Sequence, residues 1–294
     1  VEADAPVITN VSVDNTDSEN GEISVNWVPP FDHDTTLFFP PYKYKVIRYE
    51  GYNSSSKLSS SILQSDTFYI DQNLNTLDEV YNYKVEVYSD EDTLPFDNSF
   101  RASSVRLELY GNENSIELQW QFNVPWSNSS DKNPMHYIYR NNVSGYDVDD
   151  YILIDSVNVI ENGFNYLDNG DFENITLDEN ILYCYYVITS GSYENDKLSL
   201  EFLSSEILKN KSQKICAQTN DLTPPCPPLS LKISDDFLCE NYFTEKSCEI
   251  KDFENRIEWE TETDPCYLDS KFFNVYFSSN GVDKDRKSTR LNSS

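Results

Sequence analysis

Gly21-Glu-Ile-Ser-Val-Asn-Trp27 recurs along the chain as Asn114-Ser-Ile-Glu-Leu-Gln-Trp120 and, in shortened form, as Asn255-Arg-Ile-Glu-Trp259. Ile23, Val25 and Trp27 alternate with polar residues, as do Ile116, Leu118 and Trp120. Period two is the mark of a strand with one buried and one wet face. An indole at the end of each run predicts a core between two sheets, with Trp27, Trp120 and Trp259 inside it. After a loop, each run is followed by a second strand: Tyr42-Lys-Tyr-Lys-Val-Ile-Arg-Tyr49, Met135-His-Tyr-Ile-Tyr-Arg140 and Phe272-Phe-Asn-Val-Tyr-Phe277.

A further match occurs only in the first two units. Tyr69-Ile-Asp71 leads to Leu77 and then Tyr83; Tyr166-Leu-Asp168 leads to Leu177 and then Tyr183. A tyrosine placed at a sheet-to-sheet corner buries its ring while its hydroxyl bonds nearby backbone. On this spacing Tyr83 and Tyr183 are the predicted corner residues. The expectation is an all-β chain of tandem immunoglobulin-like β-sandwiches.

These features together resemble the fibronectin type III family: the core Trp, the strand ending in x-Arg, the Tyr-x-Asp and the Leu-to-Tyr corner. The resemblance implies one domain over 1–104, a second over 105–220, and a truncated third over 221–284 that lacks its corner and final strands. That third unit opens on Pro224-Pro-Cys-Pro-Pro228, a stiff linker poor in backbone donors. The last ten residues, 285–294 (DRKSTRLNSS), resemble the conceptual translation of a sequencing adapter. They are expected to be non-native and to pack against nothing.

The composition bounds the function. With 21 Tyr and 16 Phe against 8 Gly in 294 residues, the chain favours strands. A net charge of −29 would repel phosphate backbones and anionic lipid heads, so no nucleic acid partner and no direct membrane insertion are expected. There is no Gly-rich phosphate loop, nucleophile elbow or HExxH. No catalytic residue, cofactor or metal ligand is therefore assigned. His33, within Asp32-His-Asp34, reads as a solvated loop residue and His136 as a strand-surface residue. The acidic stretches Asp147–Asp150 and Asp168–Asp171 read as turns rather than calcium loops. Asn-x-Ser/Thr sequons occur at Asn53, Asn128, Asn142, Asn174 and Asn210.

All 6 cysteines follow residue 183, which suggests disulfides in an oxidising, extracellular compartment. The strand order implied by the family places Cys184 and Cys216 on neighbouring antiparallel strands. The same topology implies Cys226–Cys266 and Cys239–Cys248 in the third unit. The first bond would close a loop of about 30 residues and contribute about 3–4 kcal/mol in the chain-entropy account.

A longer stretch runs from Cys184 through Asn210-Lys-Ser-Gln-Lys-Ile-Cys216-Ala-Gln-Thr and the Pro-Pro-Cys226-Pro-Pro linker to Trp259 and Cys266. It resembles the repeat region of large secreted, gliding motility-associated proteins of Bacteroidota, which end in a sorting domain for type IX secretion. This resemblance implies a cell-surface or secreted, non-enzymatic adhesive segment whose partner is a surface protein or a glycan. Accessory domains of a secreted polysaccharide-degrading enzyme and a receptor ectodomain are the competing readings, since fold alone does not choose a function.

Overall fold

The alternating runs form strands whose inward residues meet between two sheets. The computed structural model describes residues 5–31, 39–89, 93–128, 132–141, 150–172, 174, 176–201, 203, 207–220, 227–233, 257–260, 273, 275–277 and 285–287. The chain divides into two compact units, Val1–Asp221 and Leu222–Ser294, and the first contains two β-sandwiches.

Sandwich one consists of β1 (Val7–Asn15), β2 (Gly21–Val28), β3 (Tyr42–Glu50), β4 (Lys57–Ser60), β5 (Phe68–Leu74), β6 (Tyr81–Ser89), β7 (Asp97–Asn98) and β8 (Ala102–Ser103). One sheet runs β1-β2-β5 and the other β4-β3-β6-β7, with β8 also on β6. Sandwich two repeats the plan with β9 (Arg106–Asn112), β10 (Ser115–Gln121), β11 (Met135–Asn141), β12 (Tyr151–Asn158), a turn of helix α1 (Val159–Asn162), β13 (Asn165–Asp168), β14 (Tyr183–Gly191), α2 (Asp196–Glu201), β15 (Leu208–Lys211) and β16 (Ile215–Ala217). Its sheets are β9-β10-β13 and β12-β11-β14-β15, with β16 also on β14. Trp27 and Trp120 are each 3% exposed in their cores.

An ion pair crosses each core. Arg140 of β11 donates to Asp168 of β13 at 2.8 Å, and the Tyr185 hydroxyl of β14 donates to the same carboxylate oxygen at 2.8 Å. Asp168 Oδ1 accepts the Gly170 N–H at 2.9 Å. Sandwich one repeats the set, with Arg48 on Asp71 at 2.9 Å and the Tyr83 hydroxyl on Asp71 at 3.0 Å. In both cases the Arg and Tyr belong to one sheet and the Asp to the other. Burial, and then the Asp71 carboxylate, push the Tyr83 hydroxyl well above its ordinary pKa, so it stays a donor.

This register corrects the corner assignment. Arg48 lies opposite Tyr83 and Arg140 opposite Tyr185, so Tyr83 corresponds to Tyr185 and Tyr81 to Tyr183. Tyr183 is a corner residue, its hydroxyl accepting the Asp178 N–H at 2.9 Å. In sandwich one the corner belongs to Tyr81, which accepts the Asn75 N–H at 3.3 Å. The spacing misled because Leu77 is exposed whereas Leu177 is buried. The buried leucine there is Leu74, one residue farther from Tyr81 than Leu177 is from Tyr183.

The two sandwiches share a seam along the β1 edge. An edge strand presents unpaired backbone groups, and here sandwich two covers them. The Val11 N–H donates to Asn210 Oδ1 at 2.9 Å and the Lys211 N–H to Ser12 Oγ at 3.0 Å. The Tyr193 hydroxyl donates to the Ile8 carbonyl at 2.8 Å, and Asn10 Nδ2 donates to the Lys209 carbonyl at 2.7 Å. Leu208 and Trp126 join the core cluster of sandwich one, while Leu198 of α2 packs on Val7 and Val28. Two sequons are closed off in the folded chain: Asn210 is 2% and Asn128 6% exposed.

In the second unit, β17 (Leu229–Ile233) pairs with β18 (Ile257–Glu260) and β19 (Val275–Phe277) with β20 (Asp285–Lys287). Trp259 keeps part of its surface and meets Phe273 edge-on at 5.6 Å. The pairing of Asp285–Lys287 departs from the expectation that the last ten residues pack against nothing. An extended segment downstream of an open edge can add to it through backbone bonds without apolar side chains. Cys226, Cys239, Cys248 and Cys266, with their two expected bonds, lie outside the described residues, as does His33.

Asp168→Ala is expected to cost about 3–5 kcal/mol, because it removes the carboxylate that pairs with a fully buried guanidinium. Asp71→Ala should cost less, since the Arg48 side chain is 20% exposed and can reach water. Urea denaturation of both variants checks the order; equal losses would show that burial of the partner does not set the cost. Asn210→Ala leaves the buried Val11 N–H unpaired and should cost about 1–3 kcal/mol in the same assay.

Candidate functional site

Alternation along β11 turns His136, Ile138 and Arg140 inward. His136 is 0% exposed, which corrects its reading as a strand-surface residue. Its Nδ1 accepts the Trp120 indole N–H at 3.0 Å. The imidazole is therefore neutral with its proton on Nε2. Burial pushes its pKa down to about 4, against smaller opposing contributions from the backbone of Ser190 and Asn128. The matching residue in sandwich one is Tyr44, which meets Trp27 edge-on at 5.5 Å. There the Trp27 indole N–H finds no acceptor among the described residues.

Phe164 extends this aromatic cluster to the surface. Its carbonyl accepts the Trp120 backbone N–H at 3.1 Å. Its ring stacks on His136 at 5.7 Å and meets Phe122 edge-on at 5.0 Å. The equivalent backbone bond in sandwich one, from the Trp27 N–H, ends on Thr67. Phe164 is thus a large ring where the fold itself is satisfied by a threonine, and it remains 40% exposed.

That ring lines a cleft of about 370 Å³ between the sandwiches. The outward side chains of β9 and β10, among them Arg106, Glu108, Gln119 and Gln121, form its floor, with Asn165 of β13 beside them. Tyr52, on the turn between β3 and β4, closes it from sandwich one. Gly51 takes a left-handed φ of 65° to make that turn.

The turn is held in place. Asn123 Nδ2 of sandwich two donates to the Tyr52 carbonyl at 3.4 Å and also to Asn53 Oδ1. Arg106 donates back across the seam to the Leu77 carbonyl. Burial pushes the Tyr52 hydroxyl up to about 12; Glu108 raises it further and Arg106 opposes. The hydroxyl thus stays protonated at neutral pH, while the Glu108 carboxylate accepts the Tyr110 hydroxyl at 2.8 Å.

Of the core residues expected from sequence, Trp120 alone lines the cleft; Trp27, Tyr83 and Tyr183 do not. Cys184 and Cys216 face each other across β14 and β16 and are bonded, with a sequence separation of 32. Tyr183 and Tyr185 on either side are buried, which leaves the sulfur pair on the outer face. Tyr52, Arg106, Glu108 and Phe164 were missed by sequence reasoning. Only Phe164 carried a signal, as the ring that replaces Thr67 between the repeats.

The cleft lining offers hydrogen bonds in both directions and apolar ring surface. Among the described residues, no group of three or more His, Cys, Asp or Glu side chains could hold a metal ion. Among them also, no helix is long and apolar enough to cross a membrane. No protein-family model matches the chain, and no curated protein matches it. Among solved structures, three fibronectin domains of chicken CNTN1 (FN1–FN3) overlap 73% of this chain and 67% of that one, at 10% identity and a TM-score of 0.24. The assignment as β-sandwiches stands on the chain's own antiparallel sheets.

His136 makes sandwich two acid-sensitive. Its folded pKa lies below the ordinary value of 6.5, so the unfolded chain binds more protons between the two. Stability contributed by the neutral ring is present above that window and is lost as pH falls through it. His136→Tyr copies Tyr44 and removes the titration. Between pH 7 and about 4.5 the natural chain should lose about 2–3 kcal/mol more than this variant in denaturant titrations. Parallel losses would show that His136 is not the titrating group.

Proposed function

We propose that the chain is a non-catalytic, extracellular repeat region, structural or adhesive, of a large secreted or cell-surface protein of the gliding motility-associated type. The observation that carries this reading is the Cys184–Cys216 bond on the outer face of neighbouring strands. An accessible disulfide persists in an oxidising compartment and is rare where thiols are kept reduced. The seam between the sandwiches supports it further, since hydrogen bonds along the β1 edge tie the two repeats together. The partner is a surface protein or a glycan.

A second reading, an accessory segment of a secreted polysaccharide-degrading enzyme, is favoured by the mixed polar and aromatic cleft. The parent gene separates the two, because a hydrolase domain in the same reading frame supports only the second. For the first, antibodies raised against residues 1–220 should label intact cells of the source organism. Disruption of the gene should reduce surface adhesion or spreading. Labelling only after lysis, with Cys184 recovered as a free thiol, would overturn the extracellular assignment.

A further inference from the structure

We infer that the cleft beneath Tyr52 is a binding site for a neutral, hydroxyl-rich ligand, a saccharide of one or two pyranose rings. This deepens the glycan alternative among the partners proposed above and rests on that reading, but it does not depend on the route of export. At about 370 Å³ the cleft sits at the small end of the range for small-molecule sites, about 300–1,000 Å³.

The lining selects the chemistry. The side-chain amides of Gln119 and Gln121 each carry donors and an acceptor. A sugar hydroxyl is likewise both donor and acceptor, so neighbouring hydroxyls on a ring match such amides in either direction. Arg106 and Glu108 lie on the same floor with opposite charges, which leaves the cleft without a net preference for an ion. The chain as a whole, at −29, disfavours an anionic ligand. Phe164 and Tyr52 supply apolar ring surface for the C–H faces of a pyranose. A peptide would instead seek an open strand edge or a long groove, and the β1 edge of this unit is already covered.

The site is also preorganised. Tyr52 is tied to sandwich two through Asn123, and Arg106 to sandwich one through Leu77. Phe164 is fixed by its backbone bond to Trp120 and by stacking on His136. A ligand entering such a cleft orders little of the protein, which preserves affinity. Phe164 in the cleft lining and His136, on which it stacks, are also positions at which sandwich two departs from sandwich one.

The test uses the full chain and tryptophan fluorescence or calorimetry, with cellobiose, lactose and mannobiose as probes and digalacturonate as the anionic control. At least one neutral disaccharide should bind with a dissociation constant of about 1 mM or tighter, and digalacturonate should bind more weakly. Tyr52→Ala and Glu108→Gln should each weaken that binding about ten-fold or more, the scale of losing one charge-assisted contact. Glu108 is exposed, so its variant keeps the fold even if the Tyr52 variant does not. Tyr139→Ala should leave binding unchanged, since Tyr139 stacks on Tyr186 on the outward face of the other sheet. No saturable binding of any neutral probe at about 10 mM would overturn the inference. So would tighter binding of digalacturonate, affinity unaffected by Glu108→Gln, or affinity lost in Tyr139→Ala.

Discussion

Arg140 has no exposed side-chain surface, and a charge in that position survives only with a partner. Asp168 reaches it from the opposite sheet and also accepts the Tyr185 hydroxyl. Desolvation of such a pair offsets much of its attraction, so its net contribution to stability is small. Its effect on register is larger. Sliding β13 along β10 by a pair of residues would take from a buried guanidinium and a buried phenol the carboxylate they share. The apolar residues around them, Leu118, Ile138 and Val187, would tolerate such a slip far better. The same bridge in sandwich one, with Arg48, Asp71 and Tyr83, performs the same task in a wetter setting.

Registered sheets place the remaining features. With Arg140 inward, alternation makes His136 inward as well, where it accepts the Trp120 indole proton. His136 then offers a flat ring for Phe164 to stack on. The outward side chains of β9 and β10 are left to form a polar floor. The β1 edge, covered by Asn210 and Tyr193, holds sandwich one close enough for Tyr52 to close the cleft. The cleft is thus a consequence of the seam, and neither sandwich lines it alone.

Comparison of the two sandwiches within one chain separates what the fold requires from what it permits. Trp, Arg, Asp, the inner Tyr and the corner Tyr recur at matched positions, so they belong to the scaffold. Tyr44 against His136 and Thr67 against Phe164 are differences the scaffold accepts. The second pair of these differences forms the wall of the cleft, which ties the proposed site to the part of the sequence that fold does not constrain.

Period-two alternation around Trp27 and Trp120 determined the strands and the two-sheet core, because a side-chain period of two admits only one buried face. The cysteines, placed through the family topology, likewise identified Cys184–Cys216, because that topology makes their strands antiparallel neighbours and the two residues lie directly opposite in register. The corner at Tyr81 escaped the sequence because Leu77, at the spacing that matches Leu177, is exposed and the buried leucine is Leu74; a match made by spacing is misled by this, while hydrogen-bond register is not. The burial of His136 followed from the alternation of β11 and could have been read by aligning Arg140 with Arg48. The seam and the cleft could not be read at all. They join Tyr52 to Glu108 and Val11 to Asn210, residues far apart in the chain. Their meeting depends on how two finished sandwiches pack, which no local pattern encodes.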